Sequence, residues 1–175
     1  DSLRNKKVDV LKAIRRWSTS DAATGAVAGQ YQGYLGEEEV EPHSTTATYG
    51  ALKLYVDNWR WNGVPFYLRT GKAMAHKASE IAIQFSSPPH LLFSSSHEPD
   101  LAPNILSLCL QPHEGAHLRF QAKVPDQEMA TRPVDMEFHY GTAFGPQAFP
   151  EAYERLLQDA LEGDASLFIR SDHIE

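Results

Sequence analysis

The sequence predicts an α+β fold: a large, mainly antiparallel β-sheet with α-helices packed on one face. Three observations predict it. Apolar and polar residues alternate with period two in at least three separate segments. Those segments follow one another with no helical stretch between them, which argues for antiparallel pairing rather than a parallel βαβ array. Both ends of the chain instead carry apolar residues at helical spacing.

The first element is a helix over about Leu3 to Arg16, capped by Asp1 or Ser2, with Leu3, Val8, Leu11 and Ile14 on its apolar side. A turn-rich stretch with Gly25, Gly29 and Gly33 follows, then the acidic run Glu37–Glu39, which reads as a solvated loop. From Ser44 the pattern is that of strands. Leu52, Leu54 and Val56 alternate with Lys53, Tyr55 and Asp57. Asn62-Gly63 supplies a two-residue hairpin turn, and Val64 to Arg69 returns. Pro65 has no N–H for a ladder, so it belongs at a strand start or on an edge.

Ile81, Ile83 and Phe85 share one face of a later strand. Leu118, Phe120 and Ala122 alternate with His117, Arg119, Gln121 and Lys123, and Val134, Met136, Phe138 and Tyr140 alternate with Asp135, Glu137 and His139. One face of the sheet is therefore apolar and the other polar. The segment Ser86 to Asn104, rich in Ser, Pro and His, reads as a loop with room for a short helix. A second strong helix starts at Pro150 and Glu151 and closes at Gly163, with Ala152, Tyr153, Leu156, Leu157, Ala160 and Leu161 as its apolar stripe.

Composition narrows the function. The chain has 175 residues, enough for one domain with a core. Its formal net charge is −7, a poor surface for nucleic acid, whose phosphates demand basic partners. The single cysteine, Cys109, excludes an internal disulfide and fits a reducing cytoplasm; its place in the run Ile105–Leu110 reads as a small buried hydrophobe. No apolar run reaches membrane-spanning length, so no membrane role is expected. The chain starts at Asp1 and both ends read as cut, so the expectation is a fragment of a longer protein.

Two segments could carry chemistry. His113-Glu114-Gly115-Ala116-His117 matches the zinc-protease pattern H-E-x-x-H, which requires a helix. Pro112 and Gly115, between two strand patterns, favour a polar hairpin turn instead, and no metal site is expected. Arg69-Thr70-Gly71-Lys72-Ala73-Met74-Ala75-His76-Lys77 gathers three cations and a histidine at a strand end. By composition alone a solvated basic loop is the better reading; a sugar phosphate site is the sharper one. Trp59 and Trp61 default to packing or an interface. There is no G-x-G-x-x-G and no nucleophile elbow, so no complete catalytic apparatus is legible and no catalytic residue is assigned.

The run Arg60-Trp61-Asn62-Gly63-Val64-Pro65-Phe66-Tyr67-Leu68-Arg69-Thr70-Gly71-Lys72 resembles the glucose-6-phosphate dehydrogenase family. So do Arg4-Asn5-Lys6-Lys7-Val8-Asp9-Val10-Leu11-Lys12, the pair Gly29-Gln30-Tyr31 and Gly33-Tyr34, and Ala152-Tyr153-Glu154-Arg155-Leu156-Leu157 with Asp159, Gly163, Phe168, Arg170 and Asp172. These landmarks stand in family order along nearly the whole chain. The resemblance implies that residues 1–175 form the C-terminal domain, which closes the glucose 6-phosphate site and makes the contacts of a homodimer or homotetramer through the sheet. It implies an N-terminal Rossmann domain, outside this chain, that binds NADP and carries the Asp–His pair taking the sugar proton.

By the same resemblance Lys72 matches the lysine bonding the sugar hydroxyls, Lys77 the second basic residue of that loop, on the phosphate side, and Gln111 a glutamine of the phosphate site. Animal members hold a second, structural NADP on this domain. Arg69 matches one of its residues, but Ala78 and Cys109 stand where others are basic, so no structural NADP is expected here. The fragment alone is expected to be inactive. The alternative from another class is a non-catalytic, dimerising scaffold module of the same fold.

Overall fold

The computed structural model of the chain describes residues 2–87, 102–126, 130–145 and 152–174. It has antiparallel sheets and a few helices, the α+β class that the alternation implies. The strands are shared between two sheets. One compact unit comprises Asp1–Ala75 with Ala152–Glu175, and the other His76–Glu151.

In the first unit, α1 spans Ser2–Lys12, shorter than the periodicity suggests. Extended pairing displaces its last turn. Ile14 bridges Val56, the Arg15 N–H donates to the Tyr55 carbonyl at 2.9 Å, and the Asp57 N–H to the Ala13 carbonyl at 2.7 Å. Arg15 then clasps the Asp57 carboxylate at 2.9 and 2.7 Å. Long-range backbone bonds thus outweigh the local helical preference of residues 13–16.

The glycine-rich stretch read as turns contains two elements. Helix α2, Thr19–Gly25, begins with a capping box: the Asp21 N–H donates to Ser18 Oγ at 3.2 Å, and the Ser18 N–H to Asp21 Oδ2 at 2.8 Å. Strand β1, Ala26–Gly29, follows. Strands β2, Tyr49–Tyr55, and β3, Pro65–Gly71, form the expected hairpin, registered from Tyr55↔Pro65 to Tyr49↔Gly71, and the sheet order is β1-β2-β3. Pro65 opens β3, an edge strand.

The hairpin connection is longer than two residues and occupies 56–64. Asn58 organises it: its Oδ1 accepts from the N–H groups of Arg60 and Trp61 at 3.1 and 2.9 Å, and its carbonyl accepts from the Asn62 N–H at 3.0 Å. Gly63 closes the turn at φ 79°, a backbone angle costly for other residues. Val8 and Val56 are the buried aliphatic side chains of this unit among the described residues.

Helix α4, Ala152–Glu162, is present, while its expected start at Pro150 and Glu151 lies outside the described residues. Among the described residues its apolar stripe is largely open: Tyr153, Leu157 and Leu161 are exposed, and Leu156 is half-buried. The helix instead buries Asp159, 1% exposed; Arg155 Nε forms an ion pair with its Oδ1 at 2.9 Å, while neither carboxylate oxygen accepts a hydrogen bond among the described residues.

In the second unit β4 (Ser79–Gln84), β5 (Ile105–Gln111), β6 (Gly115–Lys123) and β7 (Thr131–His139) pair in sequence order, all antiparallel. Short helix α3, Tyr140–Phe144, follows β7. The register separates two faces. Ile81, Leu108, Ala116 and Phe138 line up on one, with Ile83, Leu106, Leu118 and Met136 beside them. Glu80, Cys109, Gly115 and His139 form a row on the other, next to Ala82, Ser107, His117 and Glu137. The loop read from Ser86 to Asn104 lies largely outside the described residues.

Candidate functional site

The basic segment begins where β3 ends. The Lys72 N–H donates to the Thr48 carbonyl at 2.8 Å, which fixes the backbone one residue beyond the last ladder pair. Gly71 leaves no room for a side chain: a Cβ there would meet the Tyr49 ring at 2.9 Å and the Met74 sulfur at 3.2 Å. Ala73, at φ 50°, turns the chain sharply after Lys72. The Lys72 and Lys77 side chains are both exposed. Lys72 belongs to the first unit; Lys77, past the division at Ala75/His76, belongs to the second.

Strand pairing brings Lys77 and Gln111, far apart in sequence, to one end of the four-stranded sheet. Lys77 stands two residues before Ser79, the first residue of β4, and Ser79 pairs with Gln111, the last residue of β5. Gln111 Nε2 donates to Ser79 Oγ at 2.7 Å. The pairing is irregular there. Ser79 faces Gln111 while the adjacent Glu80 faces Cys109, so Leu110 is an extra residue on β5, a β-bulge. The peptide bond from Gln111 to Pro112 is cis.

The H-E-x-x-H segment is a hairpin turn: β5 ends at Gln111 and β6 begins at Gly115. His117 lies in a strand, so the one-turn helical spacing that a zincin needs is not formed. Among the described residues, no group of three or more His, Cys, Asp or Glu is arranged to hold a metal.

The polar face of this sheet carries charges that sequence reasoning did not assemble. Asp135 accepts from Arg119 Nε at 2.8 Å and contacts His117 Nε2 at 2.9 Å. Hydrogen bonding to Arg119 first, then to His117, holds the Asp135 carboxyl below the usual range. Glu80, Ser107, Cys109, His117, Glu137 and His139 line a recess of about 270 Å³. Cys109 is half-buried there rather than in the apolar core, because strand alternation sets it on the face opposite Leu108.

On the β2–β3 ribbon, Lys53 Nζ lies 5.6 Å from the Tyr55 ring and 5.8 Å from the Tyr67 ring, and Arg15 sits 5.0 Å over Tyr55. The Tyr55 hydroxyl bond is the main reason the Lys53 ammonium is held above its usual pKa. Neither this ladder nor the Gln111–Ser79 bond had a sequence signal, since both depend on register.

No helix among the described residues is long and apolar enough to cross a membrane. Comparison with known proteins is consistent along the chain. The family model for "Glucose-6-phosphate dehydrogenase, C-terminal domain" matches residues 1–175. The glucose-6-phosphate 1-dehydrogenase of Borreliella burgdorferi is 44% identical over 183 residues, covering 99% of this chain and 38% of the relative. That of Mycolicibacterium smegmatis is 42% identical over 184 residues, covering 100% and 37%. A solved structure of glucose-6-phosphate dehydrogenase in complex with its substrate glucose-6-phosphate superposes with TM-score 0.83 at 34% identity, over 99% of this chain and 36% of that one. The glucose-6-phosphate 1-dehydrogenase of Mycobacterium avium gives TM-score 0.77 at 36% identity, over 98% and 34%. The chain therefore spans under two fifths of the length of these relatives, and over that span it belongs to the glucose-6-phosphate dehydrogenase C-terminal domain family.

Proposed function

We propose that residues 1–175 act as the substrate-binding and dimerising C-terminal domain of an NADP-dependent glucose-6-phosphate dehydrogenase. The intact enzyme oxidises glucose 6-phosphate to the 6-phosphogluconolactone, the entry reaction of the oxidative pentose phosphate route. NADP, when bound by the rest of the enzyme, would supply the hydride acceptor for C1, and a histidine there would supply the base for the O1 proton. NADP and that base belong to the Rossmann half, and this chain's part is to bind and orient.

Lys72 donates to the sugar hydroxyls. Lys77 and Gln111 meet the phosphate, one as a flexible ammonium and the other as a neutral N–H donor. Holding the ester at its far end positions C1 without any proton transfer from these residues. The observation that carries the reading is the shared sheet end of Lys77 and Gln111, a cation and an amide donor set together by the Ser79↔Gln111 register.

We propose no second, structural NADP for this domain, since Ala78 and Cys109 stand where members that hold one are basic. A polyphosphate needs free cations, and the polar face around Cys109 offers Glu80 and Glu137, with its Arg119 already committed to Asp135. Self-association through the sheet is supported by apolar surface left open: Met136 is 61% and Ile81 48% exposed.

Steady-state kinetics of the full-length enzyme test the site. Lys77→Ala is expected to raise KM for glucose 6-phosphate about tenfold, the scale of one charge-assisted hydrogen bond, with kcat little changed. An unchanged KM would remove Lys77 from the site.

A further inference from the structure

Resting on the substrate site proposed above, we infer that Ser79 is a positioning residue for that site, acting through Gln111. The bulge at Leu110 is the first reason. In a regular strand Gln111 would share a face with Cys109, two residues earlier, while Ser79 would point opposite to Glu80, the partner of Cys109. The extra residue breaks that alternation and turns the Gln111 and Ser79 side chains toward each other, close enough for the 2.7 Å bond. Bulges re-aim side chains in this way beside functional sites.

Hydrogen-bond capacity is the second reason. A carboxamide nitrogen has two N–H groups, and Ser79 Oγ takes one. The other is left to donate to an anionic oxygen. Gln111 is exposed and would otherwise sample several rotamers, whose freedom would be lost when it gripped a ligand. The half-buried Ser79 removes part of that loss in advance. The third reason is covalent: Lys77 lies two residues before Ser79, so one short segment carries both the ammonium and the group that aims the amide.

The test is a double-mutant cycle in the full-length enzyme, read as KM and kcat for glucose 6-phosphate. Ser79→Ala is expected to raise KM about fivefold, the scale of one neutral hydrogen bond, with kcat within about twofold. Ser79→Thr keeps the hydroxyl and is expected to restore most of the loss. Ser79→Ala placed on Gln111→Ala is expected to add nothing further, because the group it aims is gone. Three results overturn the inference: a wild-type KM for Ser79→Ala, failure of the threonine to rescue, or full additivity with Gln111→Ala. If Gln111→Ala itself leaves KM unchanged, the site assignment of Gln111 falls and this inference with it. If Gln111→Ala raises KM and Ser79→Ala does not, the positioning role alone falls.

Discussion

Replacing Gly115 by alanine is expected to pry apart β6 and β7 at the end of the sheet that carries Gln111. A Cβ on Gly115 would lie 2.2 Å from the Phe138 carbonyl oxygen and 3.2 Å from His139 Nδ1. Real Cβ contacts do not fall under 3.0 Å, so the strands must separate by about 0.8 Å, the difference 3.0 − 2.2. The obstacle is backbone, which cannot rotate aside as a side chain would. The neighbouring bond from the Tyr140 N–H to the Glu114 carbonyl is 3.0 Å. Moved by that amount it would stretch to about 3.8 Å, beyond hydrogen-bonding range. One lost ladder bond costs about 1 kcal/mol, and overpacking a further 1–3 kcal/mol, so destabilisation of about 2–4 kcal/mol is expected. Urea unfolding of the purified protein, followed by circular dichroism, measures it. Gly141→Ala is the control: a Cβ there meets nothing within 4 Å and the residue lies in α3, so the midpoint is expected to hold or to rise slightly, by up to about 1 kcal/mol of helix propensity, and not to fall. A Gly115→Ala protein within about 0.5 kcal/mol of its parent would refute the close-approach argument.

Other perturbations have equally definite outcomes. Arg155→Met strands the buried Asp159 carboxylate without its partner and should cost about 3 kcal/mol in the same urea assay, whereas a neutral result would mean that Asp159 is compensated elsewhere. Asp57, Asp135 and Asp172 are each held below the ordinary carboxylate pKa, chiefly by hydrogen bonds to Arg15, Arg119 and Arg170. A depressed folded pKa contributes stability in full above the unfolded value of about 3.9, lost as pH falls through the folded value. The urea midpoint should therefore drop between about pH 5 and pH 3, and a midpoint that rises over that interval would reverse the sign.

Much of the architecture was legible because strand alternation is local. The alternation of Leu118, Phe120, Met136 and Phe138 with His117, Arg119, Glu137 and His139 shows the two faces of the second sheet directly. The hairpin β2–β3 was legible from Asn62-Gly63, although Asn58, by capping two N–H groups, builds a longer turn than that dipeptide signals. Helix α1 ends early because residues 13–15 bond to 55–57, a long-range choice invisible to periodicity. Helix α2 hid in a glycine-rich stretch although its capping box, Ser18 and Asp21, was there to be read. The stripe of α4 is apolar as its spacing predicts, but periodicity does not show what covers it, and Tyr153, Leu157 and Leu161 are exposed.

The candidate site divides in the same way. Lys72 and Lys77 are five positions apart and stand out as a basic segment, whereas Gln111 enters only through the resemblance. Its link to Ser79 depends on a bulge, and a one-residue irregularity leaves no mark on composition.

The most direct measurement is KM for glucose 6-phosphate in full-length enzyme carrying Lys72→Ala. A rise of about tenfold or more, with the coenzyme KM unaltered, is the expected result, since the charge-assisted bond proposed for Lys72 would be lost and the nicotinamide site left alone. Wild-type kinetics for both substrates would contradict the assignment of this domain's basic segment to the sugar.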